Sequence, residues 1–107
     1  MMSVADDGNS YQASSADGAI VREIPITNKR GLHARASAKF VQMAERFDAE
    51  ITVTRNNETV GGNSIMGLMM LSAGPGSSII ISASGAQARE AIDALTELVT
   101  TKFGEDE

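Results

Sequence analysis

The segment RGLHARASAKF, residues 30–40, holds the chain's only histidine, His33, with Lys29, Arg30, Arg35 and Lys39 close to it in sequence. A neutral imidazole is a nucleophile, and the Arg35 guanidinium supplies a planar fork of donors matched to phosphate oxygens. If the residue after His33 opens a helix, the unpaired N–H groups of that first turn and the helix dipole hold anions as well. That effect favours a negative group by about 0.3–1 kcal/mol, and by somewhat more when the group is partly buried. A helix N-terminus and a nearby cation both disfavour imidazolium, which keeps the ring nucleophilic. Gly31 lets the preceding loop approach closely or take a positive φ. Together these residues describe a nucleophilic imidazole beside a phosphate cradle, and they require an exposed ring nitrogen facing the bare amides. On residue types alone, a capping or surface histidine lying near arginines is the commoner arrangement. A metal site has less support still, because one histidine, no cysteine and no paired ligand spacing fall short of a usual site.

The elements that position these residues follow from hydrophobic periodicity. IVREIPIT places Ile20, Arg22, Ile24 and Ile26 on one face at period two, a first strand that Pro25 confines to a sheet edge or an outward side. NKRGL is a loop. From Ala34 to Phe47, the apolar positions Phe40, Met43, Ala44 and Phe47 have the spacing of an amphipathic helix. Ile51 and Val53 alternate with Thr52 and Thr54, and Asn56-Asn57 then turns the chain into a short strand ETV, a hairpin. NSIMGLMML opens with a pair suited to an N-cap and continues as a brief helix until SAGPGS breaks it. SIIISAS is a further strand, with Ile79 and Ile81 on the face opposite Ile80. Ala88, Ala91, Ile92, Leu95, Leu98, Val99 and Phe103 then recur at helical spacing, with Gly104 placed as a C′ glycine. The order is β-α-β-β-α-β-α, an α+β open sandwich in which helices cover one side of an amphipathic sheet.

A chain of 107 residues suits one domain with a real core and is too short for two. Aromatic residues make up 4%, so the core must be aliphatic. The first nineteen residues, rich in Ser, Asp, Gly and Ala, carry a charge of −3 of the total −5, leaving −2 for the rest. We expect residues 1–19 to be a disordered acidic extension and residues 20–107 to be the domain. The near-balanced charge and scarce aromatics argue against nucleic-acid binding. No apolar run approaches a membrane span, and no basic residue precedes Arg22, so neither membrane insertion nor a leader is expected. A monomer in the cytoplasm is the simplest expectation.

GLHARASAKF at residues 31–40, NSIMGLMML at 63–71 and GSSIIISASG at 76–85 occur in an order and separation that resemble the HPr family. These are phosphocarrier proteins of the bacterial phosphotransferase system, and the resemblance runs from about Val21 to Phe103. It implies an open-faced β-sandwich whose four-stranded antiparallel sheet is covered on one side by three helices. It also implies that His33 accepts a phosphoryl group on Nδ1 from Enzyme I and passes it to an Enzyme IIA-type protein. Arg35 matches the arginine that contacts the phosphoryl group. Such a carrier is a histidine phosphocarrier intermediate in sugar transport or regulation rather than a turnover enzyme, and it keeps no cofactor. Ser64 matches a serine phosphorylated in many members by HPr kinase/phosphorylase. Ala36 stands where many relatives carry proline, and alanine, an excellent helix former, should preserve the helix start.

SIMGLMML packs six large apolar side chains into one short helix, too many for a single buried stripe. Leu68 and Leu71 are expected in the core, while Ile65, Met66 and Met69 are candidates for an exposed docking patch. Ser64 also reads simply as an N-cap. Lys29, Arg30 and Lys39 would form a positive rim that steers acidic partners, or would be solvated charges, Lys39 above all. GGNSIMG lacks the Gly-Lys-Ser/Thr ending of a P-loop. A module on the same fold that binds partners through Ile65, Met66 and Met69 without carrying phosphate is the alternative function.

Overall fold

The protein is described by a computed structural model covering residues 19–105; the extension expected over residues 1–19 lies outside this range except for Ala19. Strand β1 (Ile20–Pro25) leads to helix α1 (Ala34–Ala44), the hairpin of β2 (Glu50–Arg55) and β3 (Glu58–Gly61), and helix α2 (Ile65–Met70). Strand β4 (Ser78–Ser84) and helix α3 (Ala88–Thr100) follow, then a single 3₁₀ turn, Lys102–Gly104. The four strands form one antiparallel sheet in the order β1-β4-β2-β3. The open-faced β-α-β-β-α-β-α sandwich expected from periodicity is therefore the fold.

The register shows how period-two sequences build one buried face. Ile24 lies opposite Ile79, and Ile81 lies opposite both Arg22 and Val53, with Ala83 opposite Ile20 and Ile51. Ile24, Ile51, Val53, Ile79, Ile81 and Ala83 are all buried under the helices. Their neighbours Thr52, Thr54, Ile80 and Ser82 point to the uncovered face, where Ile80 remains exposed. Arg22, on the helix side, escapes burial of its charge by reaching Asp93 Oδ1 at 3.1 Å and Thr96 Oγ1 at 3.0 Å on α3. Pro25 fits because β1 is an edge strand and gives up no interior ladder bond there. Asn56 and Asn57, with φ of 53° and 71°, make the tight hairpin turn.

Helix α1 buries Ala36, Ser37, Phe40, Val41 and Ala44. Ala36 is fully enclosed within the first turn, so the helix starts with alanine at that position. The expected continuation to Phe47 stops at Ala44, and Phe47 follows in turns leading to β2.

The end of the chain differs from its expected form. Helix α3 stops at Thr100, before Gly104, because Thr100 and Thr101 hydroxyls bond back to the Glu97 carbonyl and the backbone turns left-handed at Lys102 and Phe103. Positive φ costs a bulky residue roughly 1–2 kcal/mol. Burial of the Phe103 ring, 1% exposed, returns about 2–3 kcal/mol. The Lys39 ammonium also donates to the Phe103 carbonyl at 2.7 Å. The chain therefore crosses back over the start of α1 as a strap.

Gly31 is the tightest point of the loop before α1. Its φ is +63°, and a Cβ there would lie 2.2 Å from the Ala73 carbonyl oxygen. The Leu32 N–H donates to that same oxygen at 2.9 Å, tying the loop to the segment after α2. We expect Gly31→Ala to lower stability by about 2–3 kcal/mol from the left-handed backbone and the forced shift, measured as a fall in the urea midpoint.

Candidate functional site

His33 is the N-cap residue of α1, with extended backbone at φ −73° and ψ −179°. The first helical hydrogen bond runs from the Ser37 N–H to the His33 carbonyl at 2.9 Å. The N–H groups of Ala34, Arg35 and Ala36 precede it and have no partner within the helix. No acidic side chain occupies this first turn, so its positive dipole end is uncompensated locally. The ring makes no capping hydrogen bond to those amides.

The ring is less exposed than expected, with 16% of its side-chain surface accessible. The strap covers it: His33 Nε2 and Glu105 Oε2 are 2.6 Å apart. Asn28 holds the other carboxylate oxygen, its Nδ2 donating to Glu105 Oε1 at 3.2 Å and to the Gly31 carbonyl at 2.8 Å. Both partners of that nitrogen only accept, which sets the orientation of the fully buried Asn28 amide. Its Oδ1 is buried without a partner. Desolvation pushes the Glu105 carboxyl upward. The His33 and Asn28 hydrogen bonds, with the charges of His33 and Lys39, outweigh it and hold the group below its ordinary value. Glu105 is thus a carboxylate at neutral pH, a negative neighbour that counting only cations near His33 had omitted.

The other expected site residues divide by position. Lys29, Arg30 and Arg35 are exposed, and none is in an ion pair among the described residues. Lys39 is not a free rim charge, because its ammonium lies beneath the strap on the Phe103 carbonyl. Ser64 is the N-cap of α2, its Oγ accepting from the Gly67 N–H at 2.9 Å. Leu68 and Leu71 are buried, whereas Ile65 and Met69 are about two-fifths exposed and Met66 and Met70 are each 70% exposed. Met70 extends the apolar patch beyond the residues expected. The Leu32–Ala73 bond ties the loop before His33 to the segment after α2, and α2 packs on α1.

Glu105 and Asn28 had no local signal. One reads as a terminal acid and the other as a turn residue in TNKRG. An open hollow of about 560 Å³ lies at the other end of α1, lined by Phe47, Asp48, Gly62, Asn63 and Gly85 among others, and none of the expected site residues lines it. Among the described residues, no three His, Asp or Glu side chains are grouped to hold a metal ion.

A family model described as "PTS HPr component phosphorylation site" matches residues 20–101. The chain belongs to the HPr family. It is a phosphocarrier of the phosphotransferase system. The phosphocarrier protein HPr of Neisseria meningitidis is 52% identical over 86 residues, covering 80% of this chain and 97% of the relative. A crystal structure of HPr-C-His from Thermoanaerobacter tengcongensis is 45% identical, covers 81% of this chain and 98% of its own, and superposes with a TM-score of 0.78. A structure described as an HPr dimer from the same organism is 48% identical, covers 77% and 94% of the two chains, and has a TM-score of 0.65.

Because the Glu105 carboxyl titrates below its unfolded value of 4.5, its contacts stabilise the fold fully above that value and are lost as the pH falls through the lower, folded one. Glu105→Gln should therefore be less stable than the parent by roughly 1–2 kcal/mol at pH 7. The two urea midpoints should converge as the pH falls below 4.5 and through the lower, folded value.

Proposed function

We propose that His33 is the phosphoryl acceptor of this carrier, taking the group on Nδ1 from phosphorylated Enzyme I and passing it to an Enzyme IIA-type protein. The observation that carries this reading is the division of the ring's two nitrogens. Nε2 is occupied by Glu105, while Nδ1 makes no capping bond on the residue that stands at the N-cap of α1. The exposed, unpaired Arg35 supplies the fork that holds phosphoryl oxygens. Lys29 and Arg30 give the rim positive potential for steering an acidic partner surface. Ile65, Met66 and Met69, extended by Met70, provide the apolar docking surface, with flexible thioethers suited to more than one partner.

Ser64 is the regulatory site in this reading, a substrate for an HPr kinase/phosphorylase. A phosphate there is tolerated by the α2 N-terminus it caps, so the helix persists. The effect falls on docking, through negative charge and its desolvation cost within an apolar patch. The carrier acts as a monomer in the cytoplasm.

Incubation with phosphoenolpyruvate and Enzyme I should place one acid-labile phosphate on the parent protein and none on His33→Ala. Arg35→Ala should still be phosphorylated, about 10–100-fold more slowly, the scale of a lost charge-assisted hydrogen bond. Phosphate retained on His33→Ala would refute the acceptor assignment, and a parent that binds Enzyme I without gaining phosphate would point to the non-transferring module.

Ser64→Asp separates charge from unfolding, since aspartate caps a helix as well as serine does. Its phosphate uptake from Enzyme I should be slower than the parent's while its urea midpoint is preserved. Equal uptake rates would exclude regulation by charge at this position.

A further inference from the structure

The strap places an acceptor against one particular nitrogen of His33 with more support than a chance surface contact has. Phe103 anchors it in the core, Lys39 holds the Phe103 carbonyl, and the buried Asn28 fixes one oxygen of the Glu105 carboxylate. The other oxygen is then directed at Nε2, 2.6 Å away, with the Glu105 side chain only 15% exposed. Holding below its ordinary value keeps this group an acceptor without a proton at neutral pH.

A neutral imidazole carries one proton, and a carboxylate can receive only a donor. The proton must therefore sit on Nε2, which leaves the lone pair on Nδ1. We infer that Glu105 is a positioning residue for phosphoryl transfer, holding His33 in the Nε2–H tautomer and balancing the ring's charge while the phosphoryl group is aboard. This inference rests on the assignment of His33 as acceptor made above.

The transfer step balances without a further reactant. The Nδ1 lone pair forms the bond to phosphorus of a phosphorylated donor protein. The bond from phosphorus to the donor's leaving atom breaks, and its electron pair stays with the donor. The ring keeps its Nε2 proton and becomes a phosphoimidazolium, whose positive charge lies beside the Glu105 carboxylate. When an acceptor protein attacks phosphorus, the N–P electron pair returns to Nδ1 and the ring is neutral again. The proton never leaves the His33–Glu105 pair. The same logic governs a catalytic histidine oriented by a buried aspartate, where the carboxylate sets tautomer and geometry and stabilises the charged ring. Arg35 makes no bond to Glu105, so holding the phosphoryl oxygens and balancing the ring fall to separate residues.

The test uses the full chain labelled with ¹⁵N-histidine. Long-range ¹H–¹⁵N spectra of the unphosphorylated parent above pH 7.5 should show a protonated Nε2 and an unprotonated Nδ1, and Glu105→Ala should show a mixture of tautomers. In single-turnover uptake from phosphorylated Enzyme I, Glu105→Ala should be slower at saturating donor by about tenfold or more, the scale on which partners orienting a histidine act. Its half-saturating donor concentration should stay within about twofold, because docking lies elsewhere. Glu105→Asp should recover part of the rate and of the tautomer preference. A proton found on Nδ1 of the parent overturns the inference without any variant. A phosphorylated parent whose rate and tautomer Glu105→Ala leaves unchanged overturns this role alone. A parent that gains no phosphate on His33 overturns the acceptor assignment first and this role with it.

Discussion

His33 is held between two stretches of chain that are remote from it in sequence, and the geometry of the proposed phosphoryl site depends on that clasp. On one side the Gly31–Leu32 backbone lies against Ala73, so closely that only a glycine fits and the Leu32 amide can bond across. On the other, the strap brings Glu105 to Nε2 over a separation of 72 residues. A ring on a freely rotating Cα–Cβ bond would present its two nitrogens in many directions, and fixing one by a charged acceptor removes that freedom before any partner arrives. The extra strain of left-handed backbone at Lys102 and Phe103 is sustained by burying the Phe103 ring.

The rest of the fold supplies a rigid base and a surface around this clasp. The sheet buries one face under three helices, so α1 cannot tilt without disturbing Phe40 and its neighbours in the core. Helix α2 is apolar nearly all round but only six residues long, with Leu68 its one buried side chain. Ile65, Met66, Met69 and Met70 are left outside by geometry, since one short helix has a single face toward the core. Its Ser64 cap sets a hydroxyl that accepts from the Gly67 N–H at the start of that apolar helix. Positive charge at the rim comes from Lys29, Arg30 and Arg35, while the Lys39 charge serves the strap from below.

Much of this was legible in particular residues. Ile24, Val53, Ile79 and Ile81 announced their shared face by alternation, Pro25 announced an edge, and Asn56-Asn57 announced the hairpin. The contrast between buried Leu68 in α2, with Leu71 just after it, and exposed Ile65, Met66 and Met69 followed from counting how many apolar residues a short helix can hide. By local pattern alone Lys39 suits a rim or solvated charge and Gly104 a helix stop. Both positions are decided by the strap, whose path follows the burial of Phe103 in the core. Glu105 and Asn28 likewise meet only through the path of the strap.

The amino-acid sequence by itself determined the order of elements, the buried face of each, and the placing of a histidine and an arginine at a helix opening. Those properties rest on interactions between residues a few positions apart, where side-chain periodicity and capping chemistry operate. Which nitrogen of that histidine is engaged, and by which carboxylate, was decided only when the sheet and helices had closed. Contacts of that kind depend on the whole path of the chain through space, and no local pattern encodes them.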